Sequence, residues 1–128
     1  MGQQKLLVVD DEPTIVEFTQ KIYQEKGYLT FGATDGIAAV EIFKKERPEI
    51  NLIDIHMPLS AIDGVEVLRQ IKEVDPKAVC IMVTRVTEKQ KVEDSKKYGA
   101  SAYILKPLDL DELDKAIAEA GQKGGAHG

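Results

Sequence analysis

The sequence predicts an α/β domain built on a doubly wound, five-stranded parallel sheet with helices on both faces. Three observations carry that expectation. Short apolar runs and stretches of helical spacing alternate five times along the chain. Most of the runs are unbroken rather than alternating, as strands buried on both faces require. Four ionisable residues, Asp10, Asp11, Asp54 and Lys106, close such runs, and the carboxyl ends of parallel strands are where ligands bind in open α/β sheets. Right-handed crossovers leave few other arrangements for strictly alternating strands and helices.

The first strand is expected over residues 6–9, and the helix after it places Ile15, Phe18 and Ile22 on one face. A second strand over 28–31 precedes a helix with Ala39, Val40 and Phe43 inward. The third strand, 50–53, is closed by Asp54 and followed by a helix carrying Val65, Leu68 and Ile71. Strand four, 79–83, is closed by Thr84. The fourth helix, 88–98, has Thr87 and Gln90 at capping-box spacing but only Val92 and Tyr98 as large apolar anchors, so it should be the loosest. The fifth strand is 102–105. Asp109 and Glu112 then form an N-terminal capping pair for a helix that turns Leu110, Leu113 and Ile117 inward. The glycine-rich end should fray, giving one domain over residues 1–120 and a flexible tail over 121–128.

A chain of 128 residues suits one domain with a real core. With 22 acidic against 17 basic residues the net charge is -5, and no basic run appears, which disfavours direct nucleic-acid binding. Proteins and a divalent cation are the expected partners. Cys80 stands alone within an apolar run and reads as a buried thiol. No apolar stretch is long enough to cross a bilayer and no apolar signal region opens the chain, so a cytoplasmic protein without membrane contact is expected. Gly2 does not begin a myristoylation motif, because residue six is leucine.

Carboxylates gathered at strand ends repel one another unless a cation bridges them. Magnesium takes one or two carboxylates plus a carbonyl and keeps several waters, so Asp10 and Asp11 can share it, one directly and one through water. A carboxylate beside magnesium can attack a phosphoryl group and become an acyl phosphate, and Asp54 is placed for that role. Lys106 supplies neutralising charge, and the Thr84 hydroxyl can hydrogen-bond a phosphoryl oxygen.

Over nearly its whole length the chain resembles the receiver domains of two-component response regulators, of the chemotaxis-regulator type. The matching pieces are Leu7-Val8-Val9-Asp10-Asp11-Glu12-Pro13, then Leu52-Ile53-Asp54-Ile55-His56-Met57-Pro58, Asp63-Gly64, Thr84, and residues 99–107, which end in Lys106-Pro107. Each piece is weak alone; the ordered set is specific. The resemblance implies a flavodoxin-like (βα)5 sheet of order 2-1-3-4-5, with Asp54 as phosphoacceptor. It implies magnesium on Asp11, Asp54 and the His56 backbone carbonyl, Asp10 on a metal-bound water, and Thr84 and Lys106 on the phosphoryl group. It further implies a cis Lys106-Pro107 peptide, a rotamer change of Tyr103 on phosphorylation, and a readout surface on helix four, strand five and helix five. The phosphodonor would be a histidine kinase or a histidine phosphotransfer protein, the target a downstream protein, and the state a monomer or a phosphorylation-dependent dimer.

Two departures from the family pattern stand out. Arg85 follows the strand-four threonine, where receivers usually carry a small residue; its guanidinium can pair with Asp54 or the phosphoryl group, or point to solvent. The loop Leu59-Ser60-Ala61-Ile62 is two residues longer than the usual form and flanks the metal side. His56 sits where the family tunes phosphoryl lifetime. With no output domain after helix five, a single-domain regulator or relay intermediate is expected, chiefly a signalling module that catalyses only its own phosphoryl transfer and slow autodephosphorylation. The competing readings are a magnesium-dependent aspartate-nucleophile phosphatase, a flavodoxin-like cofactor binder and an unphosphorylated receiver-like scaffold. The phosphatase would want its second acid two positions after the nucleophile, and the cofactor binder lacks a glycine- and hydroxyl-rich phosphate loop after strand one.

Overall fold

The computed structural model describes residues 3–125. Its elements run β1 (Lys5–Val9), α1 (Pro13–Glu25), β2 (Leu29–Ala33), α2 (Gly36–Glu46), β3 (Ile50–Asp54), α3 (Gly64–Val74), β4 (Val79–Thr84), a 3-10 turn (Val86–Glu88), α4 (Lys89–Lys96), β5 (Ala102–Leu105) and α5 (Leu110–Gly125). All strand pairs are parallel, in the order β2-β1-β3-β4-β5. The predicted fold is the one adopted. Helix α5 extends into the segment expected as a tail, and residues 126–128 lie outside those described. No helix among the described residues is long and apolar enough to cross a membrane.

Strand alternation divides the core into two layers. Leu7, Val9, Ile53, Cys80 and Met82 face the layer closed by α2 and α3 with Ala39, Val40, Phe43, Val67, Leu68 and Ile71. Leu6, Val8, Ile50, Leu52, Ile81 and Ile104 face the opposite layer, closed by Val16 and Tyr23 of α1 and by Leu113 and Ile117 of α5. Successive strand residues point to opposite faces, so apolar runs are needed wherever both faces are covered. Burial lifts the Cys80 thiol to about 12, so it is an inert packing group.

Four local expectations need correction. In α1 the buried residues are Val16, Thr19 and Tyr23, while Phe18 is 59% exposed and Ile15 and Ile22 are half-buried. Both sets have helical spacing; the phase is decided by the sheet and by the Tyr23 hydroxyl, which donates to Asp114 of α5 at 2.6 Å. Val65 and Leu110 are likewise only half-buried, at the margins of their helices' inner faces. The capping box at Thr87 and Gln90 does not form. A 3-10 turn intervenes, the helix begins after Glu88 without a side-chain cap, and Gln90 bonds Asp94 instead. In α5 the expected cap is present, with Asp109 accepting from the Asp111 and Glu112 amides. Strand β2 starts one residue later than Tyr28, whose ring packs edge-on against Tyr23.

Candidate functional site

The site lies at the carboxyl edge of the sheet, where the ladder continues past the strand ends. The Asp10 amide donates to Ala33, Ile55 to Val83 and Lys106 to Thr84, at 3.2, 2.8 and 2.7 Å. These bonds extend the pairing of β1 with β2, β3 with β4 and β4 with β5, and β1 lies beside β3, so residues far apart in sequence meet. Gly64, the first residue of α3, makes this approach possible. A Cβ there would collide with the Asp54 carbonyl oxygen and come within 2.7 Å of the Ile55 Cα.

Asp10 and Asp54 are buried, at 4% and 5% exposure, and Asp11 is half-buried. One oxygen from each carboxylate lies within 4.8 Å of the others. The Lys106 ammonium reaches in from beyond β5, donating to Asp54 Oδ2 at 2.9 Å and to Asp10 Oδ2 at 3.3 Å. The Lys106-Pro107 peptide is cis. Asp10 Oδ1 accepts the Glu12 amide at 2.9 Å, Asp54 Oδ1 accepts the His56 amide at 3.3 Å, and Asp11 Oδ2 accepts the Leu59 amide at 3.0 Å. Asp10 and Asp11 do not cap α1, whose N-cap is Glu12.

Burial, with repulsion from Asp10, lifts the Asp54 carboxyl above its ordinary range despite the opposing hydrogen bond from Lys106. Burial also works against the Lys106 ammonium, but the hydrogen bond to Asp54 and the charges of Asp54 and Asp10 outweigh it, so the lysine stays charged. One ammonium here faces two carboxylates, Asp54 and Asp10. A divalent cation or a protonated carboxyl relieves that excess, and ligand oxygens gathered this closely fit a cation of magnesium's chemistry.

The remaining predicted residues stand at different distances from this centre. Thr84 is the last residue of β4 and buried, but its hydroxyl is turned to the Arg85 carbonyl at 3.3 Å. Arg85 itself is exposed. The His56 ring leans toward the 3-10 turn, with Nδ1 buried, without a hydrogen bond and 3.9 Å from Glu88 Oε1. The Tyr103 hydroxyl is half-buried and engaged with Ser95 Oγ of α4 at 2.6 Å. Thr84 and Tyr103 line one groove with Val86, Val92 and Leu105.

Sequence reasoning missed four contacts here: the Leu59 amide on Asp11, Glu88 beside His56, Ser95 on Tyr103, and Lys91, whose ammonium bonds the α3 N-cap Asp63 at 2.9 Å. Only Ser95 left a local signal, at the position after Val92 that continues the inner face of α4.

Residues 6–118 match the family model described as the response regulator receiver domain. Among curated proteins, sporulation initiation phosphotransferase F of Bacillus subtilis is 35% identical over 117 residues, covering 91% of this chain and 93% of that protein. Chemotaxis protein CheY of Halobacterium salinarum is 33% identical over 115 residues, covering 90% and 94%. Among solved structures, a CheY-like receiver domain protein from Methanospirillum hungatei superposes with a TM-score of 0.92 at 28% identity, covering 99% of this chain and 100% of that one.

Proposed function

Because this chain belongs to the response regulator receiver family, we propose that Asp54 accepts a phosphoryl group from a histidine kinase or a histidine phosphotransfer protein in the presence of Mg2+. The observation that carries the proposal is the buried Asp54 carboxylate, hydrogen-bonded to Lys106 at 2.9 Å and gathered with Asp10 and Asp11 within ligand distance. An Asp54 oxygen forms the new P–O bond as the P–N bond to the donor imidazole breaks, and the electron pair stays with the imidazole nitrogen. Lys106 is fixed opposite the attacking carboxylate, where its charge meets the negative charge of the transferring group. Asp11 and Asp54, with the His56 carbonyl, would hold the metal, and Asp10 would hold a water on it. Bound Mg2+ would screen the approach of an anionic phosphoryl group to an already acidic crevice.

The acyl phosphate carries more charge and more acceptors than the carboxylate it replaces. Thr84 is one residue past Val83, the strand partner of Asp54, and its hydroxyl bonds the Arg85 carbonyl at 3.3 Å. Rotation toward the phosphoryl group frees space beside Tyr103 in the shared groove. The output surface is then α4, β5 and α5, offered to a downstream protein, with a cytoplasmic setting in keeping with both partners.

Incubation with Mg2+ and a small phosphodonor tests the reading by intact mass. Wild type should gain one phosphoryl group and Asp54→Asn none; equal modification of the two proteins, or none of either, sinks it.

A further inference from the structure

The lengthened loop after Pro58 is tied down at several points. Met57 and Ser60 close a turn through a 3.0 Å backbone bond, with Pro58 at the position proline favours. Ser60 Oγ accepts the Gly36 amide at 2.7 Å and donates to the Ile62 carbonyl at 2.6 Å. Asp35, the N-cap of α2, divides its oxygens: Oδ1 accepts from Ile37 in its own helix and Oδ2 from the Ala61 amide of the loop at 3.1 Å. The Ala61 amide is the chief reason the Asp35 carboxyl sits below its ordinary range. The loop thus satisfies a donor at the start of α2 that has no partner within the helix. It also rides flat on that first turn, since a Cβ on Gly36 would fall 2.6 Å from Ile62 Cγ1 and 2.9 Å from the Ile62 carbonyl oxygen.

At its other end the same loop touches the acidic crevice. The Leu59 amide, next to Ser60, donates to Asp11 Oδ2 at 3.0 Å, while the Leu59 side chain is 82% exposed. Leu59 therefore contributes a backbone donor at that point and no packing. Of the three clustered carboxylates Asp11 is the least buried, and among the described residues no lysine bonds it as Lys106 bonds the other two.

We propose that Ser60 is a positioning residue for the metal site: by pinning the lengthened loop to the first turn of α2, it holds the Leu59 amide against Asp11 and so presents that carboxylate to the cation. The inference rests on the reading of the crevice as a Mg2+ site. A carboxylate that accepts a fixed N–H has one oxygen committed and the other aimed, which reduces the ordering needed when metal binds. Partners of this outer kind commonly change metal affinity by about 10-fold or more.

The test is a Mg2+ titration of the full chain, followed by backbone amide shifts at low temperature, where the variants remain folded. Ser60→Ala removes both hydroxyl bonds, and Gly36→Ala sets a methyl group against Ile62 of the loop and Val67 of α3. Each should raise the Mg2+ dissociation constant by about 10-fold, and in the metal-free protein each should move the Leu59 amide proton away from its hydrogen-bonded shift. Ser60→Thr keeps the hydroxyl and should retain wild-type binding. Wild-type affinity in both loosened variants, or tighter binding in either, overturns the proposal and leaves the Asp54 reading standing. No Mg2+-dependent shift at Asp11 and Asp54 in wild type overturns both.

Discussion

At the Asp54 carboxylate three influences compete, and their order decides its chemistry. Burial and Asp10 oppose the charged form and Lys106 supports it, and the net direction is upward. Nucleophilicity needs the charged form, which a cation beside the carboxylates would favour. The backbone geometry beneath it depends on Gly64, where any side chain meets main-chain atoms of Asp54 and Ile55 that cannot turn aside. Gly64→Ala should cost about 2 kcal/mol, as overpacking of a tight contact does, and should lower phosphorylation by displacing Asp54. Urea unfolding and the mass assay check the two effects, and an unchanged urea midpoint would show that the strand end has room to give. Asp10, Asp11, Asp54 and Lys106 were legible in the sequence because each closes an apolar run. Arg85 and His56 could be singled out, but their orientations and the reach of the Leu59 amide could not, since the direction of a loop side chain or amide depends on neighbours that no local pattern records.

Among the helices, α4 differs in kind. Ser95 is its only buried residue, Val92 and Tyr98 are half-buried, and its start has no side-chain cap. Helix α3, by contrast, buries Val67, Leu68 and Ile71 and is capped by Asp63. Besides Val92, which packs at the margin of the core, the ties of α4 to the rest are polar: Ser95 to Tyr103, and Lys91 to Asp63. Amide hydrogen exchange should therefore open α4 at lower free energy than α3, because few apolar contacts resist its detachment. Equal protection of the two helices would contradict this. The weak anchoring was readable from composition, but its start was not, because the Thr87-Gln90 spacing lost to a 3-10 turn. The phase of α1 was missed for a related reason. Two stripes one residue apart have the same period, and only the packed sheet chose between Phe18 and Thr19.

Across the whole molecule, the first and last helices are joined on one face of the sheet. The Tyr23 hydroxyl donates to Asp114 Oδ1 at 2.6 Å, and the Lys26 ammonium bonds Oδ2 at 3.2 Å. The Tyr23 bond first, and Lys26 after it, hold the Asp114 carboxyl below its ordinary range. Its charged form is thus favoured on folding, so this stabilisation is complete above the ordinary carboxylate pKa and lost as pH falls through the lowered folded value. Asp114→Ala should cost about 1 kcal/mol at neutral pH, the usual worth of a hydrogen bond to a charge reduced for the 38% exposure of the Asp114 side chain. Thermal unfolding along the acid limb should show wild type and variant converging as pH drops; a gap that persists in acid would mean the loss is one of packing.

By itself the sequence determined the strand and helix order, the two-sided core and the four ionisable residues of the crevice, because these follow from periodicity and from where polar residues end apolar runs. The tertiary structure decided which face α1 buries, how α4 begins, that the Thr84 hydroxyl bonds the Arg85 carbonyl while Arg85 is exposed, and that the loop after Pro58 reaches both α2 and Asp11. Those choices are settled by groups brought together from distant parts of the chain, and the hydrogen bonds that settle them exist only once the sheet has aligned its ends.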